Sequence, residues 1–252
     1  MQDNKNFLAT EPIGKLLLKL SIPTVIAQLI NMLYNIVDRI YIGHIPGEGS
    51  LALTGVGVCM PIIMIVSAFA ALVSSGGAPR ASIYMGKQDN DSAENILSNC
   101  FTLQIVVSIV LTVILQIWGK DLLLAFGASE NTIRYATDYM HIYAFGTLFV
   151  QLTLGMNSFI TAQGFTTISM VSVVIGALCN IILDPVMIFG LGPVPKLGIA
   201  GAAYATGIGQ CVTLAGYLLF YFVRPMHVKV NVANMKTTGS VMKNIYTIGI
   251  PA

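Results

Sequence analysis

The sequence contains few charged side chains. Only 10% of its 252 residues are Asp, Glu, Lys or Arg, whereas soluble domains carry about 25%, and the mean hydropathy is +0.78. A soluble core of this length could not bury so much apolar surface, so the composition predicts a membrane protein. The net charge is only +2 and no dense run of Lys and Arg occurs, which argues against nucleic acid as a partner.

The sequence also lacks the usual signatures of catalysis and of metal binding. No HExxH, GxSxG or Walker sequence is present, and such motifs are how many enzymes are recognised. The three His are far apart, and the four Cys form no CxxC pair and sit in apolar stretches, where we interpret them as small buried hydrophobes. We therefore predict that the protein is not an enzyme and has no cofactor. Without a nucleotide-binding motif, any transport would have to be driven by a gradient or by a partner.

Six stretches are long and apolar enough to cross a bilayer, which takes about 20 residues. Most Lys and Arg near the ends of these stretches fall on the side of the N-terminus, so the positive-inside rule predicts a multi-pass protein of the cytoplasmic membrane with the N-terminus inside. The predicted spans are residues 16–43, 51–84, 95–118, 132–160, 168–190 and 198–223.

A repeat near the end of the sequence suggests a second set of helices. "KNIYTIGIP" (243–251) resembles "KLLLKLSIP" (15–23) in its Lys, its apolar run and the position of Ile-Pro, and transporters are often built from such internal repeats. We predict a first six-helix lobe at 1–223, a cytoplasmic linker at 224–240 and the start of a seventh helix at 241–252. The fold class is then an all-α membrane protein, a six-helix lobe that forms half of a twelve-helix protein.

The first span carries a polar stripe. Its members are spaced by four, three, four and three residues, which places them on one face of a helix that must cross lipid. We interpret the stripe as the lining of a pathway, with interhelical hydrogen bonding as the alternative. The stripe consists of Thr24, Gln28, Asn31, Asn35 and Asp38.

The fifth span has a second such face, formed by Ser172, Gly176, Asn180 and Asp184. Both spans are expected to run from inside to outside, so Asp38 and Asp184 should lie at similar depth. A buried aspartate costs about 2.5–3.5 kcal/mol at the centre of a membrane helix, so such acids are usually functional. The alternatives are a structural acid at a helix break for Asp184 and an ion pair with Arg39 for Asp38.

Two prolines are candidate hinges. Pro185 cannot donate to the carbonyl of Ile181, and Pro23 cannot donate to that of Lys19, so each leaves an acceptor free and can bend its helix. The sixth span adds rows of small residues that favour close helix packing, and one row contains Thr206, which could approach the polar site.

Several of these stretches resemble the multidrug and toxic-compound extrusion (MATE) family. "IPTVIAQLINMLYNIVDRIYIG", "GAPRASIYMGKQDNDSAE", "GMNSFITAQG", "CNIILDPVMIFG" and "LGIAGAAYAT" are similar to that family's first, second, fourth, fifth and sixth helices. One departure is Thr161, where the family often has Arg.

The resemblance implies an antiporter that exchanges H⁺ or Na⁺ for small organic, often cationic, drugs, with a second six-helix lobe of the same chain as a partner. It implies a cation site of Asp38, Asn180, Asp184 and Thr206. The expected lining of the substrate cavity is Gln28, Asn31, Tyr34, Asn35, Met60, Met64, Asn157 and Gln163.

Two other functions remain open at this stage. A flippase for lipid-linked oligosaccharides shares the two-lobe architecture but would be expected to line its cavity with Arg or Lys to hold phosphate. A receptor or scaffold without transport would have little use for an acid-bearing polar stripe across the bilayer.

Overall fold

A computed structural model gives the structure of the chain and describes residues 11–223 together with Val228, Val230 and Thr247. The described residues form six α-helices joined by short turns. These are α1 (Ile13–Gly43), α2 (Gly49–Gly86), α3 (Asn90–Ala125), α4 (Ile133–Ala162), α5 (Thr166–Phe189) and α6 (Ile199–Val223). Each coincides with a predicted span, and the all-α membrane fold is confirmed.

The remaining predictions on domain boundaries lie largely outside this part of the chain. The proposed linker at 224–240 is described only at Val228 and Val230, and the proposed seventh helix at 241–252 only at Thr247.

The helices are long for a protein of this size. The longest, α2, has 38 residues, about 57 Å at 1.5 Å per residue, whereas the hydrocarbon core of a bilayer is about 30 Å thick. A helix satisfies its backbone hydrogen bonds internally, as lipid requires. Such lengths imply that the helices tilt or project into the headgroup region.

Five of the six helices are apolar enough to span a membrane, and α4 is the exception among those described. This helix carries Thr147, Gln151 and Thr153, which are buried against neighbouring helices. Because α4 packs on α2, α3 and α6, its polar side chains meet protein rather than lipid.

The α1 helix lies at the edge of the bundle. It packs mainly on α5, with fewer contacts to α2 and α6, and Pro23, Ala27, Asp38 and Ile42 are its buried residues. Its remaining surface is exposed and carries both apolar side chains and most of the polar stripe. This loose attachment leaves α1 the helix that can move with the least loss of packing.

The α5 and α6 helices approach closely at glycines. A Cβ atom on Gly209 would lie 2.9 Å from the backbone oxygen of Gly176 and 3.2 Å from Cβ of Asn180. Small residues of this kind let membrane helices come into backbone contact. The contact fixes the position of Asn180, and of Asp184 one turn further along.

The two ends of the bundle are named here by their turns. The inner end contains the start of α1 and the turn Gln163–Gly164–Phe165 between α4 and α5, and the outer end contains the turn between α1 and α2. Gly164 adopts φ +85° in its turn, a conformation that favours glycine.

Candidate functional site

The two membrane acids meet in the outer half of the bundle. Asp38 of α1 is 7% exposed and Asp184 of α5 is fully buried, and the carboxyl groups are close enough to interact electrostatically. Asn180, one turn before Asp184, donates from Nδ2 to Asp184 Oδ1 at 3.3 Å. The α1–α5 contact therefore brings together the two polar faces that the sequence places on separate helices.

Three oxygen atoms at this centre are buried and have no hydrogen-bond partner in the structure: Asp38 Oδ1, Asn180 Oδ1 and Asp184 Oδ2. Leaving a buried polar atom unpaired costs about 1–3 kcal/mol. All three are acceptors when the acids are ionised, so the centre has the chemistry to take up protons or a hard cation.

Arg39 does not pair with the neighbouring Asp38. Its guanidinium donates to Sδ of Met60 at 3.2 Å, and within the described residues the salt bridge found is between Lys19 and Glu11. This conformation therefore has no salt bridge between Asp38 and Arg39, which was the alternative interpretation of Asp38.

Thr206 and three tyrosines complete the centre. The hydroxyl of Tyr139 on α4 lies beside Thr206 and in electrostatic contact with Asp38. Tyr34 of α1 lies beside Gln210 and interacts with both acids, and Tyr143 lies one turn from Tyr139, with the two rings stacked at 6.3 Å. The structure thus gathers the four predicted cation-site residues; their role in binding a cation stays a prediction.

Sequence reasoning missed Tyr139, Tyr143 and Gln210. The two tyrosines are four residues apart and so share one face of α4, which is a signal that was available. It is weak, because tyrosines are common at membrane interfaces, and nothing in the sequence shows that these two lie near Asp38 and Tyr34.

The rest of the polar stripe of α1 faces the open side of the bundle. Gln28 and Asn35 are exposed and Asn31 is half-buried, and the three are linked along the helix, Asn31 Nδ2 donating to Gln28 Oε1 at 3.3 Å and Asn35 Nδ2 to the Asn31 carbonyl at 2.6 Å. Met64 of α2 is 68% exposed. These residues and the half-buried Met60 form an open surface of amides and thioethers beside the acids.

Asn157 and Gln163 lie apart from that open surface. Asn157 Oδ1 accepts from Ser169 and, at 3.2 Å, from Thr161 Oγ1. Gln163 is 6% exposed and lies beside Tyr221. Both therefore lie at the inner end of α4, Asn157 against Ser169 of α5 and Gln163 beside Tyr221 of α6, rather than on the open side.

The two candidate hinges lie inside continuous helices. Pro23 is buried within α1 and Pro185 lies within α5. Each proline still lacks the N–H that would close a helical turn, so each marks a point where its helix is easier to bend.

Comparison with known proteins identifies the family. The model of the MatE family matches residues 23–186, from Pro23 within α1 nearly to the end of α5. The chain belongs to the MatE family. The predicted resemblance is therefore confirmed.

Individual MatE-family relatives show similarity along almost the whole chain. This chain is 29% identical over 253 residues to the multidrug export protein MepA of Staphylococcus haemolyticus, and the match covers 100% of this chain and 55% of the relative. It is also 29% identical over 221 residues to the FAD transporter of Shewanella oneidensis, covering 87% and 48%. The chain spans about half the length of these relatives.

A solved MatE-family structure has the same arrangement of helices. It is described as the outward-facing conformation of a multidrug resistance MATE family transporter of the MOP superfamily, and it matches with a TM-score of 0.87 at 26% identity. The match covers 98% of this chain and 54% of that structure. The six helices thus correspond to one lobe of a transporter fold.

Proposed function

We propose that this chain is the ion-coupled lobe of an antiporter that exports small organic, cationic molecules across the cytoplasmic membrane in exchange for H⁺ or Na⁺. The observation that supports it best is the pair of buried acids with unpaired oxygens beside an open surface of amides and thioethers. The N-terminus is cytoplasmic in this proposal, and a second six-helix lobe completes the cavity.

The coupling between ion binding and the position of α1 follows from where Asp38 lies. It is the buried end of the polar stripe on α1, a helix held mainly by its contact with α5. When H⁺ or Na⁺ occupies the centre, the charge of the acids is balanced and α1 is drawn onto Asn180 and Asp184. When the centre is empty, two interacting carboxylates repel, which favours a second position of α1.

The open surface suits cationic organic substrates. Gln28, Asn31 and Asn35 offer amide groups, while Met60 and Met64 offer flexible, polarisable side chains that adapt to ligands of varied shape. The nearby acids add a negative field. A drug that prefers the arrangement with empty acids then opposes ion binding without touching the acids.

A phosphate-bearing cargo is the second candidate, because one relative is named as an FAD transporter. The described helices favour the cationic cargo instead. Arg39 is the one base among the described residues that contacts the open surface, through its bond to Met60, and two acids lie nearby, while the other described Lys and Arg lie near helix ends. The same reasoning disfavours the lipid-linked oligosaccharide flippase.

Efflux measurements with acid variants test the proposal. In cells or vesicles holding the full-length protein, Asp38→Asn and Asp184→Asn should each abolish ion-driven efflux of a cationic dye at unchanged expression. Asp121→Asn, at the exposed outer end of α3, is the matched control and should behave as wild type.

Three results would count against the proposal. Wild-type efflux in both acid variants would show that the acids are dispensable. Efflux of the flavin nucleotide with no efflux of cations would select the second candidate. Equal loss in the control variant would show that the assay reports damage to the protein rather than loss of the site.

A further inference from the structure

The open face of α1 is bounded by an acid on one side and by a base on the other. Asp38 and Arg39 are neighbours in the sequence, and successive residues of an α-helix point about 100° apart. Asp38 is buried and interacts with Asp184 of α5, whereas the guanidinium of Arg39 donates to Sδ of Met60 on α2 at 3.2 Å. The two side chains therefore flank the open face, the acid towards α5 and the base towards α2.

Amide side chains occupy the face between this acid and this base. Asn35 precedes Asp38 by three residues and Arg39 by four, and residues at both spacings are neighbours on a helix surface. Asn35 is exposed and is linked along the helix to Asn31 by its bond to the Asn31 carbonyl. Across α1 the open surface thus passes from carboxylate through amide to guanidinium.

Arg39 extends into the bundle rather than out towards the headgroups. It lies four residues before Gly43, the last residue of α1, which is about 6 Å from that end. Met60 lies eleven residues after Gly49, the first residue of α2, which is about 16 Å from that end. Because the outer turn joins these two ends, Met60 is the deeper of the two residues. An arginine that served only as an interfacial anchor would extend the other way.

The guanidinium of Arg39 keeps most of its hydrogen-bonding capacity. It has five N–H donors, and its partner among the described residues is the Met60 sulfur, which is a weak acceptor. The salt bridge found in this part of the chain joins Lys19 and Glu11 instead. A guanidinium matches a carboxylate through two parallel hydrogen bonds, so Arg39 has donors available for a carboxylate that a ligand brings.

The charges on the open surface restrict which anionic ligand it accepts. When Asp38 and Asp184 are both ionised, two negative charges lie beside the single positive charge of Arg39. A ligand with several negative charges, such as a nucleotide, would be repelled by the acids. A ligand with one positive and one negative group can place each group beside its opposite, so the arrangement is complementary to a zwitterion.

We infer that Arg39 is a specificity-determining residue that binds the carboxylate of zwitterionic cargo, so that this lobe accepts molecules bearing both an ammonium and a carboxylate group as well as simple cations. This rests on the proposed function, in which the same surface binds cationic organic molecules. The ammonium group of the cargo lies towards Asp38 and Asp184. The carboxylate accepts from Arg39 and replaces the Met60 sulfur as its partner.

Two other roles for Arg39 lead to different results. If the bond to Met60 only held α1 against α2, removal of Arg39 would weaken the binding of every cargo to a similar degree. If Arg39 bound the phosphate of an anionic lipid, its removal would leave the binding of every cargo unchanged. A role in specificity changes the preference between two cargoes that differ only in charge.

The test compares two dyes with the same ring system. Rhodamine B has a free carboxylate and is a zwitterion near neutral pH, and its methyl ester is a cation. Binding of each dye to the full-length protein in detergent is measured by fluorescence polarisation without Na⁺. In Arg39→Gln the Kd of rhodamine B should rise by about tenfold or more, because hydrogen bonds between charged groups are lost. The Kd of the methyl ester should stay the same or fall, because a positive charge has been removed.

Two further variants serve as controls. Lys120→Gln removes a positive charge at the exposed outer end of α3 and should leave both Kd values within about twofold of wild type. Arg39→Lys keeps the charge but loses the planar fork, so its Kd for rhodamine B should lie between those of wild type and Arg39→Gln. Binding of the methyl ester shows in each case that the variant is folded.

The outcomes separate this inference from the proposed function. Wild-type affinity of Arg39→Gln for rhodamine B overturns the inference, as does an equal loss of affinity for both dyes or the same selective loss in Lys120→Gln. A wild-type protein that binds the methyl ester but not rhodamine B also overturns it and leaves the proposed function intact. A wild type that neither binds the methyl ester nor exports it in response to H⁺ or Na⁺ refutes the proposed function, and this inference with it.

Discussion

The contact between α5 and α6 can be tested by placing a single methyl group into it. In Gly209→Ala the new Cβ would lie 2.9 Å from the Gly176 backbone oxygen and 3.2 Å from Cβ of Asn180. A backbone oxygen cannot rotate away as a side chain can, so the two helices must separate. Because the Cβ atom of Asn180 is one of the two atoms that the new methyl group would meet, the substitution displaces a residue of the cation centre directly.

Two opposing effects determine how far Gly209→Ala changes the free energy of unfolding. Overpacking a tight contact costs typically about 1–3 kcal/mol, while replacing glycine by alanine inside a helix favours folding by about 1 kcal/mol. Gly207→Ala is the matched control, since it lies in the same helix and its Cβ would meet nothing within 4 Å. The difference in unfolding free energy between the two variants isolates the clash and should be about 1–3 kcal/mol.

The assay is reversible or kinetic unfolding of the full-length protein in detergent, combined with binding of a cationic dye as H⁺ or Na⁺ is varied. Gly209→Ala should be less stable than Gly207→Ala and should show weaker ion dependence of dye binding, because Asn180 is displaced. Equal stability and equal ion dependence in the two variants would refute the reasoning that this glycine contact sets the geometry of the site.

Three further predictions concern other parts of the lobe. Pro185→Ala restores a helical N–H in α5 and should raise stability while slowing exchange, measured as thermal unfolding and dye efflux; faster exchange would contradict the hinge. Tyr139→Phe removes the hydroxyl beside Thr206 and should weaken ion dependence at unchanged expression, whereas an unaltered ion response would show that the tyrosine is not part of the centre. The Ser92 hydroxyl, and after it the Ser92 N–H at 3.0 Å, hydrogen-bond to Asp89 and lower the pKa of its carboxyl. The cap is present above the ordinary carboxyl pKa and is lost as the pH falls through the lowered one, so hydrogen exchange of the Ser92 amide should quicken there. In Asp89→Ala it should be fast already at neutral pH.

The sequence predicts the helices well because lipid allows few alternatives. A long apolar run must be helical to satisfy its backbone, and the six spans appear as six helices. The depth of the acids was also predictable, since Asp38 and Asp184 stand at similar distances from the outer ends of their helices. Their meeting in the structure depends on α1 packing against α5, and the sequence does not reveal this contact because three helices separate the two.

The parts of the site that were missed depend on which helix faces which. Tyr139 belongs to α4, whose polar and apolar residues are spread around the helix because three neighbours cover it, so periodicity does not mark an inner face. The resemblance assigns Asn157 and Gln163 to the substrate cavity, whereas in this structure Asn157 contacts Ser169 and Gln163 lies beside Tyr221. The positions of Tyr139, Asn157 and Gln163 depend on contacts between helices that are far apart in the sequence.

The measurement that tests the account most directly is the affinity of the full-length protein for a cationic dye, at about pH 5 to about pH 9 and with or without Na⁺, in wild type and in Asp184→Asn. Reciprocal linkage predicts that affinity is highest at high pH without Na⁺ and falls as either ion is added, by a factor on the order of 5–150 if the coupling is 1–3 kcal/mol. The variant should lose this dependence. Wild-type affinity that is flat across pH and indifferent to Na⁺ would contradict the claim that the buried acids and the substrate surface are coupled.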